Sequence, residues 1–127
     1  MIFEPSWWLR GQHLQSILPS FPGRRPFVER RAASMLAVSQ EHLLDCGDGV
    51  RLQAFHSPAS SPNPDKRLTL VVLLHGWEGS AQSLYVLSLA QSLHEQGFDV
   101  VRLNLRDHGD TYHLNRDLFH SCRLGEV

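Results

Sequence analysis

Two short segments hold most of the residues that could do chemistry. The first, LLHGWEGS at 73–80, sets His75 between an apolar run and two glycines, Gly76 and Gly79. A His-Gly pair lets the backbone turn sharply, and the amides that follow can point into a cleft near a helix N terminus. There they would stabilise a developing negative charge. A tight strand-to-helix turn over a buried His75 accounts for the same residues, and spacing alone does not choose between the two. The second segment, NLRDHGDTYHLNRDLFHS at 104–121, crowds together Asp107, His108, Asp110, His113, Asp117 and His120. His113, Asp117 and His120 would share one face of a helix that began early. Their spacing fits neither H-E-x-x-H nor the Cys/His zinc patterns. A hydrogen-bonded polar loop below a pocket is the preferred reading, and no metal or cofactor is expected.

Nucleotide chemistry is disfavoured by the same residues. No Gly-Lys-Ser/Thr follows Gly79, Gly76-Trp77-Glu78-Gly79 lacks the G-x-G-x-x-G spacing, and Gly47-Asp48-Gly49 precedes a strand where the fingerprint needs a helix.

The elements that position these segments follow from periodicity. Residues 41–46 and 50–56 predict two strands around Cys46-Gly47-Asp48-Gly49, a hairpin turn. Residues 68–74 form an unbroken apolar run, which predicts a parallel strand covered on both faces. Ser80 is placed to cap a helix reaching Gln96, with Leu84, Leu87, Ala90 and Leu93 on one stripe and Gly97 as its stop. Val100, Val101, Leu103 and Leu105 mark the next strand, and a last helix is expected from Arg116. Strand, helix, strand implies a right-handed crossover in an α/β sheet. Residues 1–38 carry Trp7, Trp8, Phe21 and Phe27 among four prolines, which forbids one long helix. They predict an arm that buries its aromatics against a body.

The chain has 127 residues, 42% of them apolar and 20% charged, which suits one globular domain or part of one. A net charge of −1 excludes a generally basic nucleic-acid binder. Arg24, Arg25, Arg30 and Arg31 could form a small anion-binding patch, but a solvated flank is the simpler account. Cys46 and Cys122 show no CxxC spacing, the N-terminal residues lack the pattern of a secretory signal, and no apolar run could cross a bilayer. The chain therefore reads as soluble and cytoplasmic. Trp7, Trp8, Leu9 and Arg10 have the residue types of a membrane-surface contact, yet no sustained amphipathic helix stands behind them.

HGWEGS followed by NLRDHGDT resembles the third and fourth strand ends of the α/β-hydrolase fold. WWLRGQHLQSILP, at 7–19, resembles the arm motif of its YheT-like branch (α/β-hydrolase family 4), whose members are described as carboxylic-ester hydrolases. LFHSCRLGEV, at 118–127, is similar to that branch's next segment. The resemblance implies an arm over 1–38, the first part of a hydrolase core over 39–127, and a half-sheet in the order 1-2-4-3. It further implies acyl transfer by Ser, His and an acid. The oxyanion hole would take one backbone N–H from Trp77, with His75, Gly76, Glu78 and Gly79 shaping the loop. Arg106, Asp107, His108 and Gly109 would form the adjoining loop and support the site without making bonds.

The departure from the family lies in the triad. The fold carries its Ser on a G-x-S-x-G elbow after the fifth strand, and residues 1–127 contain no such elbow. Ser80 sits at a helix start without the flanking glycine spacing. The sequence is therefore expected to stop short of the nucleophile and to be inactive alone. The strand at 68–74 would then be an apolar sheet edge, prone to self-association. Two functions follow: an ester or acyl hydrolase to which this chain supplies part of the oxyanion hole, or a non-catalytic module that binds an acyl ligand or a protein partner.

Overall fold

The computed structural model describes residues 4–18, 21–59 and 70–120. Strands β1 (Gln40–Asp45) and β2 (Arg51–Ser57) pair antiparallel, with Leu44 opposite Leu52. Gly47, Asp48 and Gly49 all take positive φ in the turn between them, a conformation that glycine enters freely and Asp tolerates. Strand β3 (Leu70–Leu74) runs parallel to β4 (Asp99–Asn104), and β4 pairs antiparallel with β2. The four strands lie in the order β1-β2-β4-β3, so β3 is an edge among the described residues. That is the α/β half-sheet expected from the sequence. Residues 68 and 69 of the expected strand lie outside the described residues.

The helices are α1 (Gln12–Ile17), α2 (Arg25–Arg31) and α3 (Ala33–Ala37), followed after β3 by α4 (Leu84–Glu95). Leu84, Leu87 and Ala90 of α4 are buried with Val100 of β4, so the stripe read from the sequence is the one that packs. Gly97 ends the helix with φ +82°; its N–H donates to His94 O and the Phe98 N–H to Leu93 O. This paired pattern satisfies two end carbonyls and brings Phe98 back beside Leu93. The start of the helix differs from the expectation. Ser83 is the N-cap residue, and Ser80 lies in the preceding turn, where Ser80 N–H donates to Ser83 Oγ.

Val28, Ala32 and Met35, spaced by four and three, face α4 and belong to the same core. The arm thus packs through small and aliphatic residues. Its described aromatics do not bury as expected: Trp7 is 81% exposed, and Trp8, Phe21 and Phe27 are each more than half exposed. The first two helical pieces are a 3-10 turn at Trp7–Leu9 and the six-residue α1, and neither contains a buried residue. Of the arginine cluster, Arg25 pairs with Glu29 at 3.0 Å, and Arg30 lies over Phe27.

The two faces of the sheet differ. Val71 and Leu73 of β3 lie half-buried, Leu73 against the core under α4, while Leu70, Val72 and Leu74 are 54%, 51% and 48% exposed. Among the described residues β3 is therefore covered on one face only, and its unbroken apolar run does not mean cover on both. On the open side Leu70, Val72, Val101, Leu103, Ala54, Leu44, His42 and His56 line a trough of about 410 Å³. Residues 116–120 form no helix, which corrects the expectation at Arg116 for the part that is described; 121–127 lie outside the described residues. Among the described residues no helix is long and apolar enough to cross a membrane.

Candidate functional site

Parallel strands β3 and β4 end side by side, and each runs into the same kind of turn. After β3, Gly79 N–H donates to Gly76 O at 2.9 Å, and Glu78, third in that turn, has φ +56°. After β4, His108 N–H donates to Leu105 O at 3.1 Å, and Asp107, again third, has φ +61°. A left-handed third residue is what a type II turn requires, and Gly or Asn fills it most readily. Here two acidic residues take it. Each costs about 1–2 kcal/mol in that conformation. Strain of this kind at the ends of parallel strands is where α/β proteins carry their sites.

His75 fastens the two turns together. It is buried, its Nδ1 donates to Gly76 O at 2.8 Å, and its Nε2 accepts the Leu105 N–H at 3.1 Å. Both ring nitrogens are engaged, and the Leu105 bond requires Nε2 to carry no proton. Burial accordingly lowers the His75 pKa below its ordinary 6.5, and the neighbouring His108 lowers it further against the Gly76 bond. His75 is thus a neutral brace, not a base. His75 lies buried beneath a tight turn, which is common to both readings of this segment.

The His108 ring lies 4.6 Å from that of His75, and its Nδ1 donates to Arg106 O. Phe119 meets His108 edge-on at 5.0 Å and Trp77 at 6.2 Å. The 117–119 segment is held there by the β4 turn: Asp107 Oδ2 accepts the Phe119 N–H at 2.7 Å, and buried Arg106 donates to Asp117 O at 3.1 Å. Seven of the nine residues singled out by sequence are accounted for in this assembly. Glu78 instead contributes its backbone turn and exposes its side chain. Gly109, at φ +65°, packs against the Asn104 amide, where a Cβ would come within 2.6 Å of Nδ2.

The loop after β3 is tied through most of its amides, and those of Trp77 and Glu78 are its exceptions among the described residues. Gly76 N–H donates to Tyr85 Oη at 2.6 Å, Ala81 N–H to Asn104 Oδ1 at 2.7 Å, and Gln82 N–H to Ser80 Oγ at 3.1 Å. Trp77 N–H has no hydrogen-bond partner among the described residues, and its side chain is 79% exposed. An N–H on a turn fixed at both ends is a donor already in place for an incoming acceptor. Among the described residues no group of three or more His, Cys, Asp or Glu could hold a metal ion.

Sequence reasoning missed Tyr85, Asn104, Arg102 and Phe119. Tyr85 and Phe119 look like ordinary apolar positions, and only the fold brings them to the turns. Asn104 gave the one usable signal, a polar residue at the end of an apolar strand.

No protein-family model matches the chain, and no curated protein does. Among solved structures the chain is similar to an α/β serine hydrolase homologue from Coxiella burnetii, at 20% identity and a TM-score of 0.53, over 68% of this chain and 39% of that one. It is also similar to a lidless α/β serine hydrolase from Xanthomonas campestris, at 27% identity and a TM-score of 0.48, over 69% of this chain and 38% of that one. The chain thus spans about two-fifths of the length of these structures. The likeness to the Coxiella protein is one of fold, and it identifies the four-stranded sheet and its helical layer as part of the α/β-hydrolase fold.

Proposed function

We propose that the chain is part of a cytoplasmic serine hydrolase of carboxylic esters, of the YheT-like branch, and that it supplies the Trp77 N–H to the oxyanion hole. One observation supports the reading: at the end of β3, in a loop whose Gly76, Gly79, Ser80, Ala81 and Gln82 amides are engaged, the Trp77 N–H, with that of Glu78 after it, has no partner among the described residues. As a nucleophile attacks an ester carbonyl, charge collects on the oxygen, and a donor held in advance stabilises it without reorganising. Gly76 and Gly79 give the turn its shape, and Glu78 contributes the left-handed residue. His75, Arg106, Asp107, His108 and Gly109 brace the two turns and make no bonds with substrate. The nucleophile, acid and base come from outside residues 1–127, and the chain alone turns over no ester.

Reading the frame past codon 127 and assaying its whole product on 4-nitrophenyl esters tests this. A G-x-S-x-G elbow with a later acid and His, and hydrolysis abolished by Ser→Ala at that elbow, bear the reading out. A stop codon directly after Val127 excludes catalysis by this route.

A second reading is favoured by the β3 edge. Leu70–Leu74 holds no charge and no Pro, and among the described residues one side of the strand is unpaired. Such an edge templates another strand, and the occupant proposed is β3 of a second copy. An antiparallel pair centred on Val72 sets Leu70 against Leu74 across the axis and continues the open trough from copy to copy. Size-exclusion chromatography of the 127-residue chain is expected to give a dimer or larger, and a monomer for Val72→Lys. A monomeric wild-type chain at high concentration contradicts it.

A further inference from the structure

We propose that Asn104 and Arg102 are positioning residues that hold the loop carrying the Trp77 N–H, an inference that rests on the oxyanion reading of that amide. Both lie on the face of β4 that carries α4, and both are almost wholly buried, at 2% and 1% exposure. Between them they grip the two backbone polar groups of Ala81. Asn104 Oδ1 accepts its N–H at 2.7 Å, and Arg102 Nη1 donates to its carbonyl at 3.1 Å. Ala81 is itself buried, so neither group has water as an alternative.

The entry of the loop is held separately, by His75 on the Leu105 N–H and by Tyr85 Oη on the Gly76 N–H. Between the two anchors, the position of a Gly79 Cβ lies only 3.0 Å from Gly76 O and Tyr85 Oη. The turn is therefore packed as well as tied, and the Trp77 N–H keeps one direction.

Asn104 does not act alone. Its Nδ2 donates to Gln53 Oε1 at 2.6 Å, and Gln53 Nε2 donates to Glu41 Oε1 at 2.6 Å. A one-way chain of donors thus runs from Ala81 across β4 and β2 to a carboxylate on β1. Each link polarises the next, and the charged end strengthens Asn104 Oδ1 as an acceptor.

Arg102 is the more unusual member, a buried cation with no carboxylate partner among the described residues and with its Nε unbonded. Burial lowers its pKa to about 10. Desolvating a guanidinium is costly, and what the fork obtains here is geometric: Ala81 O, Gln82 Oε1 and Ser39 Oγ are bonded by one planar group, with Phe55 stacked 5.3 Å away. Ser39 precedes β1, so the loop after β3 is tied through Arg102 to the start of the sheet.

Amide-resolved hydrogen exchange and 1H–15N spectra of the full 127-residue chain test the proposal. Asn104→Ala is expected to raise exchange at Ala81 about five- to tenfold, the loss of one buried bond, and to move the Trp77 amide signal. Asn104→Asp keeps the acceptor for Ala81 while losing the donor to Gln53; it should leave Ala81 protected and the Trp77 signal near its wild-type position. Gln53→Ala cuts the chain one link further out and should move the same signals by a smaller amount, which provides the reading if Asn104→Ala does not fold. A Trp77 signal unmoved in a folded Asn104→Ala, or in Gln53→Ala where that stands in for it, overturns the proposal. In the whole product of the reading frame, a Trp77→Pro variant that hydrolyses esters normally would overturn the oxyanion reading and leave these exchange results intact.

Discussion

The turns after β3 and β4 share one backbone geometry and use it in opposite ways. After β4 the side chains fold inward: Arg106 is buried on Asp117 O, the Asp107 carboxylate accepts the Phe119 N–H, and Gly109 lies on Asn104. After β3 the corresponding side chains, Trp77 and Glu78, are exposed, and the Trp77 N–H is unengaged among the described residues. The same strained turn is in one place a brace and in the other a presented amide. The difference lies in what the neighbouring residues bond to, not in the fold of the turn.

The largest effect should come from breaking the brace. Gly109→Ala sets a Cβ 2.6 Å from Asn104 Nδ2 at φ +65°, and a loss of about 2–3 kcal/mol in urea unfolding is expected. Arg106→Ala empties a buried site and should cost about 2 kcal/mol, whereas the equivalent truncation after β3, Trp77→Ala, should stay within about 0.5 kcal/mol. Equal losses from these two would erase the contrast between the turns.

A smaller effect follows from His75. Its pKa is lowered in the folded chain, so below about 6.5 the unfolded chain binds the extra proton first. The contribution is complete above that pH and is lost as the pH falls through the folded value. Urea midpoints should therefore fall from pH 7.5 to pH 5, and the fall should be shallower in His75→Gln. Smallest of all, Glu78→Gly relieves the left-handed residue of the open turn and should stabilise by about 0.5–1 kcal/mol. Asp107→Gly should not, because the bond to Phe119 goes with the carboxylate.

Much of this was legible in the sequence because it is local. The Gly47–Gly49 turn, the Gly97 stop and the α4 stripe each follow from residues within one or two turns of chain. The order of the strands and the pairing of the two loops came with the resemblance. What failed depended on distant parts of the molecule. Ser80 and Ser83 are equally good caps until Ala81 is bonded to Asn104, which places 80–83 outside the helix. An apolar run such as Leu70–Leu74 shows only that each face can be buried, not that something lies on both. The arm aromatics have the same ambiguity, since an exposed Trp7 and a buried one are the same letter.

We propose that residue 77 contributes a backbone N–H and not a side chain. The most direct test compares Trp77→Pro with Trp77→Ala in the whole product of the reading frame. Proline suits the second position of this turn but carries no N–H. Trp77→Pro is expected to lower kcat for ester hydrolysis about 10²- to 10³-fold, with Trp77→Ala close to wild type. Equal rates in the two variants would show that the Trp77 N–H does not stabilise the oxyanion.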